Sequence, residues 1–195
     1  MAQKESNFKN MVLTLLAVTF VSSTAVGYVY EITKGPKAAT LRRKQLAAIK
    51  NVLPNFTNDP LDEQYTVMTP DGDLIAYPAK RKGEPVGTAI ETFSKQGYGG
   101  TIRLMVGLLP DGTIHNIAVL EHTETPGLGD KISKKKSDFA QQFSGKNPAH
   151  FALKVKQDSG DVDGITAATI SSRAFCEAVQ RAVDSLNRTK ENGQR

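Results

Sequence analysis

The pattern of hydrophobic and polar positions divides the chain into an apolar N-terminal segment and a longer region of short alternating runs. Residues 10–30 carry no charge, and residues 11–21 are almost entirely apolar. About twenty helical residues at 1.5 Å each span about 30 Å, the thickness of the hydrocarbon core of a bilayer. This predicts a transmembrane helix over residues 10–30, preceded by an N-terminal tail over residues 1–9. Tyr28 and Tyr30 at its end suit a membrane interface.

The same segment has a competing interpretation as a cleaved signal peptide. Lys4 and Lys9 would supply its basic region, and Ser23-Thr24-Ala25 would be an acceptable cleavage site. Cleavage would give a soluble secreted protein, whereas retention gives an anchored one. We expect the uncleaved anchor, because the charge-free segment is long enough to span a bilayer.

A basic segment follows the apolar one. Residues 31–54 predict a juxtamembrane amphipathic helix that Pro54 ends. Arg42, Arg43 and Lys44 lie within it; they form either a solvated face or a contact with lipid headgroups. The apolar positions of this predicted helix are Ala39, Leu41, Leu46, Ile49 and Val52.

From residue 55 onward, short β-type runs alternate with turn signals. The turn sequences Thr69-Pro70-Asp71-Gly72 and Pro110-Asp111-Gly112 separate neighbouring runs, and the second predicts a β-hairpin. Apolar side chains at three- and four-residue steps predict a long helix over residues 168–187, and a short helix is expected over residues 137–143. Segregated strands with terminal helices predict an α+β domain with a largely antiparallel sheet and flanking helices. The predicted strands cover residues 64–68, 74–79, 86–93, 101–109, 113–120 and 150–155.

The composition argues against several classes of function. The net charge of the 195-residue chain is +5, and its basic runs do not alternate with aromatic residues, so we expect no nucleic-acid partner. The single cysteine, Cys176, cannot form an internal disulfide. The three histidines lack metal-ligand spacing, and no Walker loop, Ser/His/Asp order or dinucleotide fingerprint is present. The sequence therefore offers no recognisable nucleophilic or metal-dependent catalyst.

The most informative segment is Asp163-Gly-Ile-Thr-Ala-Ala-Thr-Ile-Ser-Ser172, directly before the long predicted helix. Its small side chains leave Thr169 accessible at a helix start, where unpaired backbone N–H groups hold a phosphate well. This arrangement suits a threonine hydroxyl esterified to a phosphorylated cofactor, with Lys131 and Arg173 as candidates to stabilise the phosphate charge. In the alternative interpretation, Thr166 is an ordinary N-cap of the helix. The residues alone leave both interpretations open.

Two glycine-rich loops are the remaining candidates for a binding site. Residues 96–101 hold Gly97, Gly99 and Gly100 immediately before a predicted strand, and residues 121–130 contain two sharp turns. Glycine permits positive φ and close backbone approach to a planar ligand. For each loop alone, a plain turn or surface loop is the alternative.

Together, the two loops and the threonine segment resemble the FMN-binding domain of the G subunit of the Rnf (also called Rsx) electron transport complex. The related C subunit of the sodium-pumping NADH:quinone oxidoreductase shares this domain. The resemblance includes the segments GYGG, EHTETPGLGDKI and DGITAATISS, in that order, and places the FMN-binding domain over residues 55–195. Family members often carry glycine where this chain has Ala167.

The resemblance implies a role for each site residue. Thr169 would be the residue to which a flavin transferase attaches FMN through a phosphate ester. The phosphate would lie beside Thr166, Ala167 and Ala168. Residues of the two loops would line the flavin ring, namely Gly99, Gly100, Thr101, Glu124, Thr125 and Leu128.

The function implied by the resemblance is a membrane-anchored covalent flavoprotein that relays electrons through FMN. It would be a redox subunit, not a complete enzyme, of an ion-translocating ferredoxin:NAD oxidoreductase. Its partners would be the other membrane subunits, the flavin transferase and membrane lipid. The chain would cross the bacterial inner membrane once, with its C-terminal domain on the periplasmic side. The alternative is a cofactor-free, membrane-anchored scaffold or ligand-binding domain.

Overall fold

A long helix, α1 (Phe8–Val52), forms the N-terminal part of the computed structural model, which describes residues 7–193. Its stretch Phe8–Thr33 is the one helical segment of the described chain that is long and apolar enough to cross a membrane. The predicted span over residues 10–30 lies within this stretch. The helix continues through residue 30, so that the span and most of the predicted juxtamembrane segment belong to one helix. Of the predicted tail, residues 1–6 lie outside the described residues.

The second feature is a five-stranded antiparallel sheet in spatial order β1-β2-β3-β4-β5. Five of the six predicted strands are confirmed, and so is the α+β class with its antiparallel sheet. The chain separates into two compact units near Lys44, and the sheet belongs to the unit that begins at Gln45. The strands are β1 (Tyr65–Val67), β2 (Leu74–Arg81), β3 (Glu84–Ser94), β4 (Ile102–Leu108) and β5 (Ile114–Glu121).

Local turn chemistry explains why the strands pair in sequence order. Between β4 and β5, the Gly112 N–H donates to the Leu109 carbonyl oxygen at 2.9 Å, and the Thr113 N–H donates to Asp111 Oδ1 at 2.9 Å. Gly112 has φ +88°, which glycine adopts without steric cost. The turn thus returns the chain directly alongside β4 and fixes the hairpin register.

The two faces of the sheet are covered by different helices. One face packs against the terminal helix α2 (Thr169–Gly193), where Phe175 and Val179 join Leu104 in the larger apolar cluster. The other face packs against the end of α1, where Ile49 belongs to a cluster with Tyr77 and others. Burial of both faces holds α2 across the sheet and fixes where its first turn lies.

The described chain has no strand at residues 150–155, so this prediction is wrong. Leu153 and Val155 are buried while Lys154 is exposed, so the segment has the alternation of a strand. Only Val155 pairs, in an isolated parallel bridge with Val162. The segment has no neighbouring strand long enough to form a ladder among the described residues, and a short 3-10 helix, Lys156–Asp158, follows instead.

The short helix predicted over residues 137–143 is present as a 3-10 helix, Phe139–Phe143. The ring of Phe139 packs edge-on against the rings of both Phe143 and Phe175, and its centroid lies 5.2 Å from that of Phe175. This aromatic contact packs the 3-10 helix directly against α2, close to the first turn of that helix.

Candidate functional site

The helix α2 begins at Thr169, which is partly exposed. A turn precedes it, closed by the Ala168 N–H, which donates to the Ile165 carbonyl oxygen at 3.0 Å. Ala167 occupies the third position of this turn with φ +61°, a left-handed conformation that favours glycine. The turn thus places the Thr169 hydroxyl at the end of the helix where backbone N–H groups lack helical partners.

Thr166 does not cap the helix, so the interpretation of Thr166 as an N-cap is wrong. The helix begins three residues later, and Thr166 is exposed in the turn. The buried Ser172 hydroxyl ties the turn to the helix instead: it accepts from the Ile165 N–H at 2.9 Å and donates to the Ala168 carbonyl oxygen at 3.0 Å. Ser172 therefore holds the turn against the helix without capping it, and the N–H groups of the first helical turn keep no side-chain cap among the described hydrogen bonds.

A cavity of about 500 Å³ opens beside the first turn of α2. It brings together three segments that are distant in sequence: one loop around residue 98, a second loop over residues 124–129, and residues 167–171. Six predicted site residues line it, whereas Gly99, Gly100, Thr101 and Thr166 are not among its lining residues. The lining consists of Tyr98, Glu124, Thr125, Leu128, Gly129, Ala167, Ala168, Thr169, Ile170 and Ser171.

The Glu124 carboxylate joins all three segments. Its side chain lies in the second loop, and the residue is only 4% exposed. The Gly99 N–H of the first loop donates to Glu124 Oε1 at 3.0 Å, and the Ser171 hydroxyl in the first turn of α2 donates to Glu124 Oε2. Ser171 was not predicted as a site residue, since its spacing of 47 positions from Glu124 leaves no local signal.

The glycines let the two loops and the helix approach one another. A Cβ atom on Gly97 would stand 2.6 Å from Glu124 Oε1, and one on Gly129 would stand 2.6 Å from both Glu124 Oε2 and Ser171 Oγ. Distances this short do not occur between a carbon atom and a non-bonded oxygen in well-packed proteins. The glycines therefore form a close-fitting cradle for the Glu124 carboxylate.

Among the described residues, the cavity lining has one acidic side chain and no lysine, arginine or histidine. Arg173 does not reach it: its Nε and an Nη donate to the Asp158 carboxylate at 2.7 and 2.6 Å. This bidentate hydrogen bonding lowers the pKa of Asp158 and raises the pKa of Arg173. Lys131 is not among the lining residues either. A phosphate here would depend on backbone N–H groups and the dipole of α2.

The mouth of the cavity is apolar. Tyr98 is 71% exposed, Leu128 42% and Ile170 49%, and each comes from a different one of the three segments. Exposed apolar side chains gathered around one opening mark a place for an apolar ligand or partner. The opening thus combines a helix start suited to an anion with surfaces suited to a planar ring.

A second carboxylate is buried beside the cavity. Asp130 follows the lining residue Gly129, and its Oδ1 has no hydrogen-bond partner among the residues that the structure describes. Its Oδ2 lies 3.8 Å from the Lys136 ammonium. A buried carboxylate facing an ammonium group therefore lies next to the cavity lining.

Comparison of the sequence with known proteins identifies the family to which the chain belongs. The sequence pattern of the FMN-binding domain family matches residues 97–184, which include both loops and the first part of α2. The ion-translocating oxidoreductase complex G subunit of Vibrio cholerae serotype O1 (strain ATCC 39541) is 35% identical over 184 residues, 90% of this chain and 88% of that protein. The G subunit of Escherichia coli (strain K12) is 38% identical over 180 residues, 87% and 86% of the two chains. That of Shewanella amazonensis is 35% identical over 190 residues, 92% and 88%. The chain therefore belongs to the G-subunit family of ion-translocating oxidoreductase complexes and carries its FMN-binding domain.

Proposed function

We propose that this redox subunit holds FMN covalently, through a phosphate ester to Thr169, and relays electrons through it in an ion-translocating ferredoxin:NAD oxidoreductase complex. The observation that carries the proposal is the position of Thr169. It is the first residue of the 25-residue helix α2 and lines the cavity of about 500 Å³. A hydroxyl, free helical N–H groups and a ligand-sized space thus meet at one point.

The residues present fit FMN in size and chemistry. Ligand cavities in proteins measure about 300–1,000 Å³, and this one falls within that range. The start of α2 suits the phosphate because its backbone N–H groups and helix dipole favour an anion. They would carry this interaction, because the described lining has no basic side chain. Tyr98, Leu128 and Ile170 offer apolar surface to the flavin ring.

The group of this chain that forms the new bond during cofactor attachment is the Thr169 hydroxyl. With a flavin dinucleotide as donor, the Thr169 oxygen bonds to the phosphorus of the FMN half. The bond from that phosphorus to the oxygen of the nucleotide half breaks, and the nucleoside monophosphate leaves with the hydroxyl proton. No electron is exchanged, and the chain gains one FMN minus water. A flavin transferase is the partner that this step requires.

The bound FMN supplies reversible uptake and release of electrons, and the protein supplies its placement and electrostatic surroundings. The two loops shield one side of the cavity, and Glu124 fixes them to α2. Covalent attachment prevents loss of the cofactor from a domain that faces the outside of the cell. A relay of this kind needs no substrate pocket and no general acid or base.

We also propose that the stretch Phe8–Thr33 anchors the chain in the bacterial inner membrane, with the FMN-binding domain on the periplasmic side. Its only charged residues are Lys9 and Glu31, near its two ends, and its large apolar side chains are exposed, as lipid-facing side chains would be. The basic residues that follow, including Arg43 and Lys44, suit contact with lipid headgroups. A chain beginning at Gln45 should be recovered as a soluble flavoprotein.

The deciding experiment is intact-mass analysis of the full chain produced with and without a flavin transferase. The wild-type protein should gain one FMN minus water only with the transferase, and Thr169→Ala should gain nothing. Thr66→Ala is the control, because Thr66 is an exposed threonine on β1, outside both the cavity lining and the segment 163–172. A bare-polypeptide mass for the wild type made with an active transferase would overturn the proposal in favour of a cofactor-free anchored domain.

A further inference from the structure

Three separate segments of the FMN-binding domain depend on a single buried carboxyl group. Glu124 Oε1 accepts from the Gly99 N–H at 3.0 Å, and Glu124 Oε2 accepts from the Ser171 hydroxyl. We propose that Glu124 is a positioning residue for flavin attachment, one that acts on Thr169 through Ser171 and on the first loop through Gly99. This inference rests on the proposed attachment of FMN to Thr169.

The connection to Thr169 is short and rigid. Ser171 lies two residues after Thr169 in the first turn of α2, so a side-chain hydrogen bond from Ser171 orients that turn. Hydrogen bonds to a charged acceptor are stronger and more directional than those between neutral groups. The turn that carries the reacting hydroxyl is therefore held against the two loops before any ligand arrives.

Two glycines leave room for this carboxylate between the loops and the helix. A Cβ atom on either Gly97 or Gly129 would come within 2.6 Å of a Glu124 oxygen. Each loop thus has a glycine, and no side chain, at the position next to the Glu124 carboxylate. A group that only filled space would not require hydrogen-bond donors at Gly99 and Ser171 in addition to this cradle.

Removal of the carboxylate should impair attachment more than folding. Without Glu124, the Gly99 N–H loses its acceptor, and the first turn of α2 loses its link to the loops. Misplacement of a reacting group by about 1 Å can cost roughly a hundredfold in rate. Glu124→Ala and Ser171→Ala should therefore slow flavin attachment by roughly ten- to a hundredfold, seen in kcat more than in KM for the transferase.

The conservative variant separates geometry from charge. In Glu124→Gln, the amide oxygen can still accept from the Gly99 N–H, and the amide NH₂ can donate to the Ser171 oxygen. Attachment to Glu124→Gln should stay within about threefold of the wild-type rate if hydrogen-bond geometry is what matters. Glu124→Gln as slow as Glu124→Ala would overturn a positioning role that works through hydrogen bonds.

Matched controls exclude a general effect of lost stability. Ser185 is fully buried in the same helix, and its hydroxyl donates to the Ala182 carbonyl oxygen, away from the cavity. Glu91 is a buried carboxylate on β3 that accepts from the Tyr77 hydroxyl at 3.2 Å. Ser185→Ala and Glu91→Gln should lower the melting temperature while leaving the attachment rate per folded chain unchanged.

The experiment measures the initial rate of FMN attachment to each full-length variant in detergent, by intact mass, with purified transferase and a flavin dinucleotide. Wild-type rates for both Glu124→Ala and Ser171→Ala, with Thr169→Ala still unmodified, would overturn the positioning role and leave the proposed function intact. If Glu124→Ala fails to fold, Ser171→Ala decides, since it keeps the carboxylate. An unmodified wild-type chain would be a different result, the failure of the proposed function itself.

Discussion

Gly99 and Thr123 interlock the two loops at the candidate flavin site. The Thr123 hydroxyl donates to the Gly99 carbonyl oxygen at 2.5 Å, and the Thr123 carbonyl oxygen fills the position that a Cβ atom of Gly99 would take. Gly99 itself does not line the cavity. Its effect on the site therefore passes through its contacts with the second loop, which are this packing and the hydrogen bond from its N–H to Glu124.

A methyl group at Gly99 should separate these loops. Forcing an extra methyl group into packed backbone costs about 1–3 kcal/mol, so Gly99→Ala should lower the free energy of unfolding by about that amount. Urea unfolding of the variant measures the loss. Gly164→Ala is the control, because the nearest atom to its Cβ would lie 3.7 Å away and its φ is not in the left-handed region. Equal stabilities for the two variants would contradict the interlocking of the loops.

The left-handed residue before α2 gives a prediction in the opposite direction. Ala167 has φ +61°, a conformation that costs a residue with a Cβ atom about 1 kcal/mol. Ala167→Gly should therefore raise the free energy of unfolding by up to about 1 kcal/mol, less the added entropy of glycine in the unfolded chain. Thermal melts of the two proteins measure the change.

Lys82 provides the matched comparison for that substitution. It has φ +53° in the turn between β2 and β3, away from the cavity. Lys82→Gly should stabilise the domain to a similar extent, and neither variant should reduce flavin attachment. A destabilised Ala167→Gly beside a stabilised Lys82→Gly would show that the methyl group of Ala167 makes a contact worth more than the strain.

Local sequence signals predicted the parts of this fold that depend on neighbouring residues. The turn at Pro110-Asp111-Gly112 closes through bonds within four residues, so its hairpin could be read from the sequence. The strand predicted over residues 150–155 failed for the opposite reason. Its alternating burial is real, but strand formation also needs a partner strand, and Val155 finds only Val162 within the described chain.

In the candidate site, too, features set by neighbouring residues were predicted, whereas contacts between distant residues were not. The resemblance pointed to Thr169, and the pattern of α2 indicated that a helix starts there. The link from Glu124 to Ser171 joins residues 47 positions apart, which no short motif encodes. The misassigned cap at Thr166 arose because its local sequence suits an N-cap, while the actual chain direction is set by the turn at Ala167.

Cys176 should resist alkylation in the folded protein. It is 3% exposed, and burial, with a further contribution from Asp158, raises the pKa of its thiol to about 12. The reactive species is the thiolate, so iodoacetamide in mildly alkaline buffer should leave the native protein unmodified and modify it fully in urea. Mass analysis after a timed quench measures both. Rapid labelling of the native protein would show that the helix opens around residue 176.

The ion pair between Asp158 and Arg173 gives a pH dependence of stability. The folded-state pKa of Asp158 is lowered, chiefly by its hydrogen bond with Arg173, so the pair stabilises the fold above the ordinary pKa range of aspartate. This contribution is lost as the pH falls through the lowered folded value. Asp158→Asn should therefore melt below the wild type in neutral buffer, and the two should converge in strongly acidic buffer.

The exposed Asp73 gives a control for this substitution, since Asp73→Asn removes one carboxylate without touching the pair.

The same pair predicts the role of Arg173 at the candidate site. Its guanidinium is engaged by Asp158 and lies outside the cavity lining, so Arg173→Gln should accept FMN at the wild-type rate while losing the pH-dependent stability. A large drop in attachment for Arg173→Gln, with the fold intact, would mean that Arg173 leaves Asp158 to meet the phosphate.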